Sequence, residues 1–308
     1  MVHLYMDPTK SLDNIDYTII DYMNEGITSV YELCGKLNIS RATLFRRIDN
    51  IRKNGFKRQY DICIECLDLG IVYVYTEGGG IFKQRTYSIS IAGFTIDPLS
   101  IYYSFSPYRR VILKYLVPMM YIELFNDKIN EFIEADSSIT DVFVLNQAVT
   151  PYYVYGIGEY RTKNVYMDYH KKPDVYDYIL IYAFLKGYTR LIDISRDYII
   201  PITTLEYHFR EHVKKAIRGK YWVRSININT LIELVIENDV ELEDLINDLY
   251  NTGSIDSILS ISYRRFKRIK VLFMEGYVSN FSNLIKYFYE AQELMGIYDI
   301  RLFPIYVK

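Results

Sequence analysis

Ser40-Arg41-Ala42-Thr43-Leu44-Phe45-Arg46-Arg47-Ile48-Asp49-Asn50-Ile51-Arg52-Lys53-Asn54-Gly55 is the stretch whose reading decides the fold. Ser40 is a good helix N-cap, and Gly55 is a good stop. Leu44, Ile48 and Ile51 recur at i, i+4 and i+7, so they share one buried stripe. Ala42, Arg46, Asp49 and Lys53 fall on the opposite face, with Phe45 at its flank. Between Ser40 and Arg58 the bases Arg41, Arg46, Arg47, Arg52, Lys53, Lys57 and Arg58 face a single acid, Asp49. A helix that is apolar behind and cationic in front suits the major groove of DNA. A solvated surface helix is the plainer alternative, and the upstream context counts against it.

That context is two further helices. Leu12 to Glu25 carries Ile15, Ile19 and Tyr22 at helical spacing and ends at Gly26. Thr28 is placed to cap a second helix, Ser29 to Leu37, with Cys34 as the small residue two crossing helices need. Asn38-Ile39 makes a short turn into the cationic helix. Three helices with a tight turn before the third is the helix-turn-helix plan. The residues Leu12-Asp13-x-x-Asp16, Glu32 to Ser40, Thr43-Leu44, Arg47-Ile48, Ile51 and Gly55 resemble the leucine-responsive/asparagine (Lrp/AsnC) class of archaeal and bacterial transcription regulators. The resemblance covers about 50 residues and implies a winged module followed by one ligand-sensing α+β domain. The chain is about twice as long as that plan.

The remainder reads as a repeat of it. Phe56 to Thr76 is expected to form a wing and then a strand. Thr86 to Ala92, Ile101 to Phe105 and Val111 to Val117 read as strands, Met120 to Glu134 as a helix, and Asp141 to Leu145 and Tyr152 to Tyr155 as strands. Arg161 to Pro173 reads as a linker. The opening pattern then returns. Val175 to Leu185 is an apolar helix stopped by Gly187, and Thr189 is placed to cap Arg190 to Tyr198. Ile200-Pro201 leads into Thr203-Thr204-Leu205-Glu206-Tyr207-His208-Phe209-Arg210-Glu211-His212. The offset is 161 residues, from Ile39 to Ile200 and from Leu44 to Leu205. Such internal similarity outweighs either copy alone. Thr230 to Ser260 reads as two or three helices, followed by a strand, a helix and a strand to Val307. The expectation is an α+β protein with two winged helix-turn-helix domains, each followed by a small sensor-like α+β domain. Its segments are 1–70, 71–160, a linker 161–173, 174–226 and 227–308.

Composition bounds the function. The chain has 308 residues, half of them hydrophobic, and a net charge of −2. A nucleic-acid site must therefore be a local patch, offset by acid such as that between Glu237 and Asp256. The 33 tyrosines and many isoleucines resemble the usage of AT-rich thermophilic archaea. No apolar run reaches the roughly 18 residues of a membrane span, and the N-terminus lacks a signal pattern, so the chain reads as cytoplasmic and nucleoid-associated. Three cysteines suggest no disulfide framework. On a strand, Cys63 and Cys66 would point to opposite faces, so they read as small apolar residues. Gly78-Gly79-Gly80 and Gly156-Ile157-Gly158 lack the spacing of a phosphate cradle, and Tyr108-Arg109-Arg110 reads as a turn between strands. His208-Phe209-Arg210-Glu211-His212 matches the H-x-x-E-H zinc peptidase pattern. Both histidines, however, lie on the face that Leu205 and Phe209 turn toward the core. They read as packed or DNA-side residues, and no metal or cofactor is expected.

The function expected is a sequence-specific, non-enzymatic transcription regulator that binds double-stranded DNA, as a homodimer and without a membrane partner. Arg41, Ala42, Phe45 and Arg46 would meet base edges, with Arg47 beside them, and Lys53, Lys57 and Arg58 would hold phosphates. In the second copy Thr203, Thr204, Tyr207 and Arg210 would read bases, and Lys214, Lys215 and Arg218 would sit near the backbone. The α+β segments could house a small-molecule effector. Tandem units of this type also resemble siroheme decarboxylases, which implies tetrapyrrole chemistry, but their characteristic motif is missing here and His170 alone is a poor warrant. A non-specific nucleoid protein is the third reading.

Overall fold

The structure is a computed structural model that describes residues 12–24, 27, 29–77, 88–103, 110–135, 139–145, 147–149, 170–224, 228–237, 245, 249, 255–265, 269–278, 280–291 and 297–304. Three helices open it: α1 (Asn14–Asn24), α2 (Val30–Leu37) and α3 (Arg41–Lys53). Asp13 starts α1: its Oδ1 accepts from the amides of Ile15 and Asp16, and Asp16 Oδ2 accepts from the amide of Asp13. This reciprocal arrangement satisfies helix donors that would otherwise be orphaned. Ser29, one residue beyond the expected Thr28, caps α2 by accepting from the Glu32 amide. Thr28 and Gly26 lie outside the described residues. Asn38 turns the chain in the left-handed region, at φ 51°.

The same three-helix plan recurs as α5 (Val175–Leu185), α6 (Leu191–Tyr198) and α7 (Ile202–Glu211). Asp174 and Asp177 form a full capping box on α5. Gly187 leaves α5 at φ +94°, a conformation that disfavours side chains. Arg190, not the expected Thr189, occupies the N-cap of α6 and makes no side-chain cap bond. Ile199 stands where Asn38 stands, again left-handed, at φ 56°.

The expected wings take an unexpected form. β1 (Phe56–Ile62) pairs antiparallel with β9 (Ile217–Arg224), so each head contributes one strand to a shared ribbon. Gln59 faces Tyr221 and Tyr60 faces Lys220. Moving each pair by the repeat offset turns one into the other, so a local two-fold axis passes between them. The strands also exchange cores. Trp222 of β9 completes the first head's core of Ile19, Leu33, Leu44, Ile51 and Phe56, and its amide donates to Asn24 Oδ1 at 2.6 Å. Tyr60 of β1 packs on Phe184 of the second head, with ring centroids 4.4 Å apart.

Each head is followed by a four-stranded antiparallel arrangement. In the first unit β2 (Leu69–Glu77), β5 (Pro98–Tyr103), β6 (Arg110–Pro118), α4 (Ile122–Ala135) and β7 (Ile139–Leu145) give the sheet order β5-β6-β2-β7. A hairpin of β3 (Ile89–Ile91) and β4 (Phe94–Ile96) lies between β2 and β5 in the chain. In the second unit β10 (Ile228–Glu237), β11 (Ile255–Arg265), β12 (Ile269–Val278), α8 (Phe281–Ala291) and β13 (Ile297–Pro304) give β13-β10-β12-β11, the same order. The short β8 (Gln147–Val149) of the first unit adds to the outer edge of β11. Helical Leu245 and Leu249 are buried between β10 and β11 in sequence, so this unit follows the βαββαβ plan.

Here two expectations fail. Where helices were expected over Thr230 to Ser260, residues 230–237 and 255–260 are strands, while Leu245 and Leu249 between them are helical. Leu231, Ile232, Leu234 and Ile236 are fully buried along β10. Such a run of branched aliphatic residues suits a strand covered on both faces. Cys63 and Cys66, expected as unpaired, form a disulfide. β1 ends at Ile62, and the chain enters a 3-10 turn at Glu65–Leu67. The turn brings residues three apart to the same side, with Cα atoms 5.3 Å apart. The expected strand at Tyr152 to Tyr155, both glycine clusters and Tyr108-Arg109 lie outside the described residues. Among the described residues, no helix is long and apolar enough to cross a membrane.

The second head is welded to the first sheet. Its core residues Leu180, Ile194 and Leu205 belong to one cluster with Val72, Tyr115 and Leu116. Tyr178 Oη donates to the Leu116 carbonyl at 3.0 Å, Tyr182 Oη to Pro98 at 3.2 Å, and Lys186 Nζ to Leu99 at 2.6 Å. Among the described residues, the first head keeps a separate cluster.

Candidate nucleic-acid interface

The cationic stretch forms α3 with the ends its residues dictate. Ser40 Oγ accepts from the Thr43 amide at 3.1 Å, and the Gly55 amide closes the other end on Arg52 at 3.0 Å. Leu44, Ile48 and Ile51 are buried beneath the helix. Arg41, Ala42, Phe45, Arg46, Asp49 and Lys53 are exposed. Among the described residues, no carboxylate engages Arg41 or Arg46, while Lys53 pairs with Asp49 at 2.6 Å, one turn away.

Arg47, grouped in sequence with the base readers, is turned sideways. Its Nη1 donates to Asp13 Oδ1 at 2.8 Å and to Asp16 Oδ1 at 2.9 Å, clamping α3 to the start of α1. Partial burial opposes the charged form of Asp13, but the hydrogen bond and charge of Arg47 outweigh it and hold that carboxyl below its usual value. The signal for this clamp was present in sequence as Asp13-x-x-Asp16, and again as Asp174-x-x-Asp177, but its partner is remote.

Arg58 is half-buried and lines a cleft of about 630 Å³ between the heads, together with Arg52, Tyr60, Arg190 and Trp222. Arg52 also lies over the Trp222 ring at 5.7 Å. The ribbon pairing thus draws Arg58 toward the second head. The side chain of Lys57 lies outside the described residues.

On the second head, Thr203, Tyr207 and Arg210 are exposed and Thr204 is half-buried. Arg210 is tied to Glu211 at 2.7 Å, and exposed Glu206 adds negative charge to that face. Lys214 and Lys215 are exposed on the 3-10 turn Val213–Ala216. The side chain of Arg218 lies outside the described residues. His208 and His212 face inward, as their spacing implied, but they meet Asp174 and Asp177 there.

No family model matches the chain, and no curated protein does. Among solved structures, siroheme decarboxylase NirDL aligns with 95% of this chain and 90% of its own, at 13% identity and a TM-score of 0.48. Its complex with an iron-uroporphyrin III analogue gives 12% identity and 0.49 over the same shares. PH0061 covers 44% of this chain and 94% of its own, at 19% identity and 0.30. At such identities and scores these likenesses transfer no residue role. The chain's own elements carry the architecture: a helix-turn-helix head followed by an antiparallel α+β unit, built twice in one polypeptide.

Proposed function

We propose that the chain is a DNA-binding transcription regulator whose first head reads the duplex. The observation that carries this reading is the division of α3, with its aliphatic side buried and Arg41, Ala42, Phe45 and Arg46 facing outward. Arginine pairs with guanine edges in a bidentate fashion, and Ala and Phe suit thymine methyls. Lys53 lies about two turns further along, where phosphate contacts hold register. The second head offers a weaker cationic face, because Glu206 and Glu211 offset Arg210. It would add affinity or set spacing more than it would read sequence. The local two-fold axis between β1 and β9 would match a pseudo-palindromic site.

The test is a binding selection followed by salt titration. Arg41→Ala and Arg46→Ala should each cost about 1–3 kcal/mol of discrimination between selected and random duplexes. Lys53→Ala should weaken all sequences alike and lower the salt slope by about one. Unchanged discrimination in a correctly folded Arg41→Ala/Arg46→Ala variant would remove α3 as the reader.

A further inference from the structure

The repeat offset that relates the heads also relates two polar clusters, and their difference is informative. Asp13 corresponds to Asp174, Asp16 to Asp177, Arg47 to His208 and Ile51 to His212. In the first head the two carboxylates share the permanent cation of Arg47. In the second head the arginine is gone, while the carboxylates remain and Asp177 has no solvent exposure at all. A carboxylate so buried requires positive charge or several hydrogen bonds.

Two imidazoles supply the contacts. His208 Nδ1 lies 3.0 Å from Asp177 Oδ1 and 3.3 Å from Asp174 Oδ2. His212 Nδ1 lies 2.8 Å from the same Asp177 Oδ1. Lys171 Nζ stands 3.7 Å from Asp177 Oδ2. One ligand atom from each of Asp174, Asp177, His208 and His212 fits within 4.8 Å of all the others.

We propose that these four residues bind a divalent transition-metal ion, with zinc the best match, and that the ion clamps α5 to α7. Zinc takes four ligands in a tetrahedron with bonds of about 2.0–2.2 Å, which sets ligand atoms roughly 3.3–3.5 Å apart. The contacts at 2.8 and 3.0 Å would spread by a few tenths of an ångström, and the widest separations, within 4.8 Å, would close toward that range. Two histidines one helical turn apart share a face, and imidazole with carboxylate is a donor set that zinc accepts. The aspartates come from the first turn of α5, where the capping box already fixes them. Asp174 is about half exposed, with a side-chain exposure of 49%, and leaves a path for entry. Tyr176 and Tyr207 flank His208, with ring centroids at 5.0 and 5.3 Å. The ion would take the place that Arg47 holds in the first head. Four protein ligands leave no open coordination position for a water, so the site would be a structural clamp.

The first head supplies the controls. His208→Arg rebuilds its ion pair, and His212→Ile restores its aliphatic residue, so each change copies an arrangement this chain already folds with. The full-length protein is stripped with a chelator, reloaded with zinc and gel-filtered, and bound zinc is counted per chain. Cobalt substitution then reports coordination geometry through its visible spectrum. The proposal expects one zinc per wild-type chain, a tetrahedral cobalt spectrum and a zinc-dependent rise in melting temperature. In either variant affinity should fall by more than about 100-fold, beyond the loss typical of residues outside a ligand set. Failure of wild type to retain zinc, or equal retention by both folded variants, overturns it and leaves a hydrogen-bonded Asp–His cluster.

Discussion

Ile199 shows what a helix-turn-helix demands of one residue. The turn between α6 and α7 needs a left-handed backbone, and Ile199 adopts it at φ 56° and ψ 44°. Asn38 makes the equivalent turn at φ 51° and ψ 44°. Asparagine tolerates that region, while a β-branched side chain there is strained. Ile199 is 89% exposed, so little packing offsets the strain. Ile199→Asn should therefore stabilise the protein by about 1 kcal/mol, as read by chemical denaturation. The reverse change, Asn38→Ile, should destabilise it by a similar amount.

At the scale of elements, the β1–β9 ribbon decides how the heads behave. Each head ends in a strand that finishes the other's core, so neither head is an independent unit. Trp222→Ala removes a buried indole that sits on the second head's strand but fills the first head's core. The loss should be about 3–5 kcal/mol, the range for a large aromatic truncated in a core. It should appear in the first head: hydrogen exchange in α1 and α3 should accelerate, and α5 to α7 should stay protected. Exchange confined to the second head would contradict the swap. Because the second head is joined to the first sheet, a shift there can reach α3 through this ribbon. That makes β1 and β9 the elements to probe for coupling between the heads.

At the scale of the molecule, the two α+β units meet through residues at equivalent places. Lys114 of β6 and Glu275 of β12 are separated by the same 161 residues as the heads, and they form a buried ion pair. Tyr73 stacks on Phe273 beside it, with centroids 4.9 Å apart. Burial works against the Lys114 ammonium, but Glu275, with a contribution from Tyr73, overcomes this and raises it above the usual lysine value. A raised folded value means that the stabilisation is complete below the unfolded value of about 10.4. It is lost as pH climbs through the folded value, so unfolding should set in on the alkaline side. Glu275→Leu alone should cost about 3–5 kcal/mol, because it removes the carboxylate that faces a buried ammonium. Lys114→Met/Glu275→Leu should recover much of that loss and flatten the alkaline limb. A double-mutant cycle by denaturation gives the coupling directly.

The heads were legible in the sequence because their signals are local. The cap at Ser40, the stops at Gly55 and Gly187 and the aliphatic spacing in α3 are fixed within a few turns of chain, and the 161-residue echo repeats the pattern. The sheets were less legible. Leu231 to Glu237, with carboxylates at Glu233 and Glu237, satisfies a helical pattern as well as a buried strand, and only pairing with β12 and β13 selects the strand. The strand exchange, the Cys63–Cys66 bridge and the turning of Arg47 and Arg58 away from the outer face were decided by tertiary structure. So was the meeting of Asp177 with His208 and His212, which lie 31 and 35 residues away in sequence. Periodicity states which face of an element is buried, whereas the partner across that face is chosen by packing among elements distant in the chain.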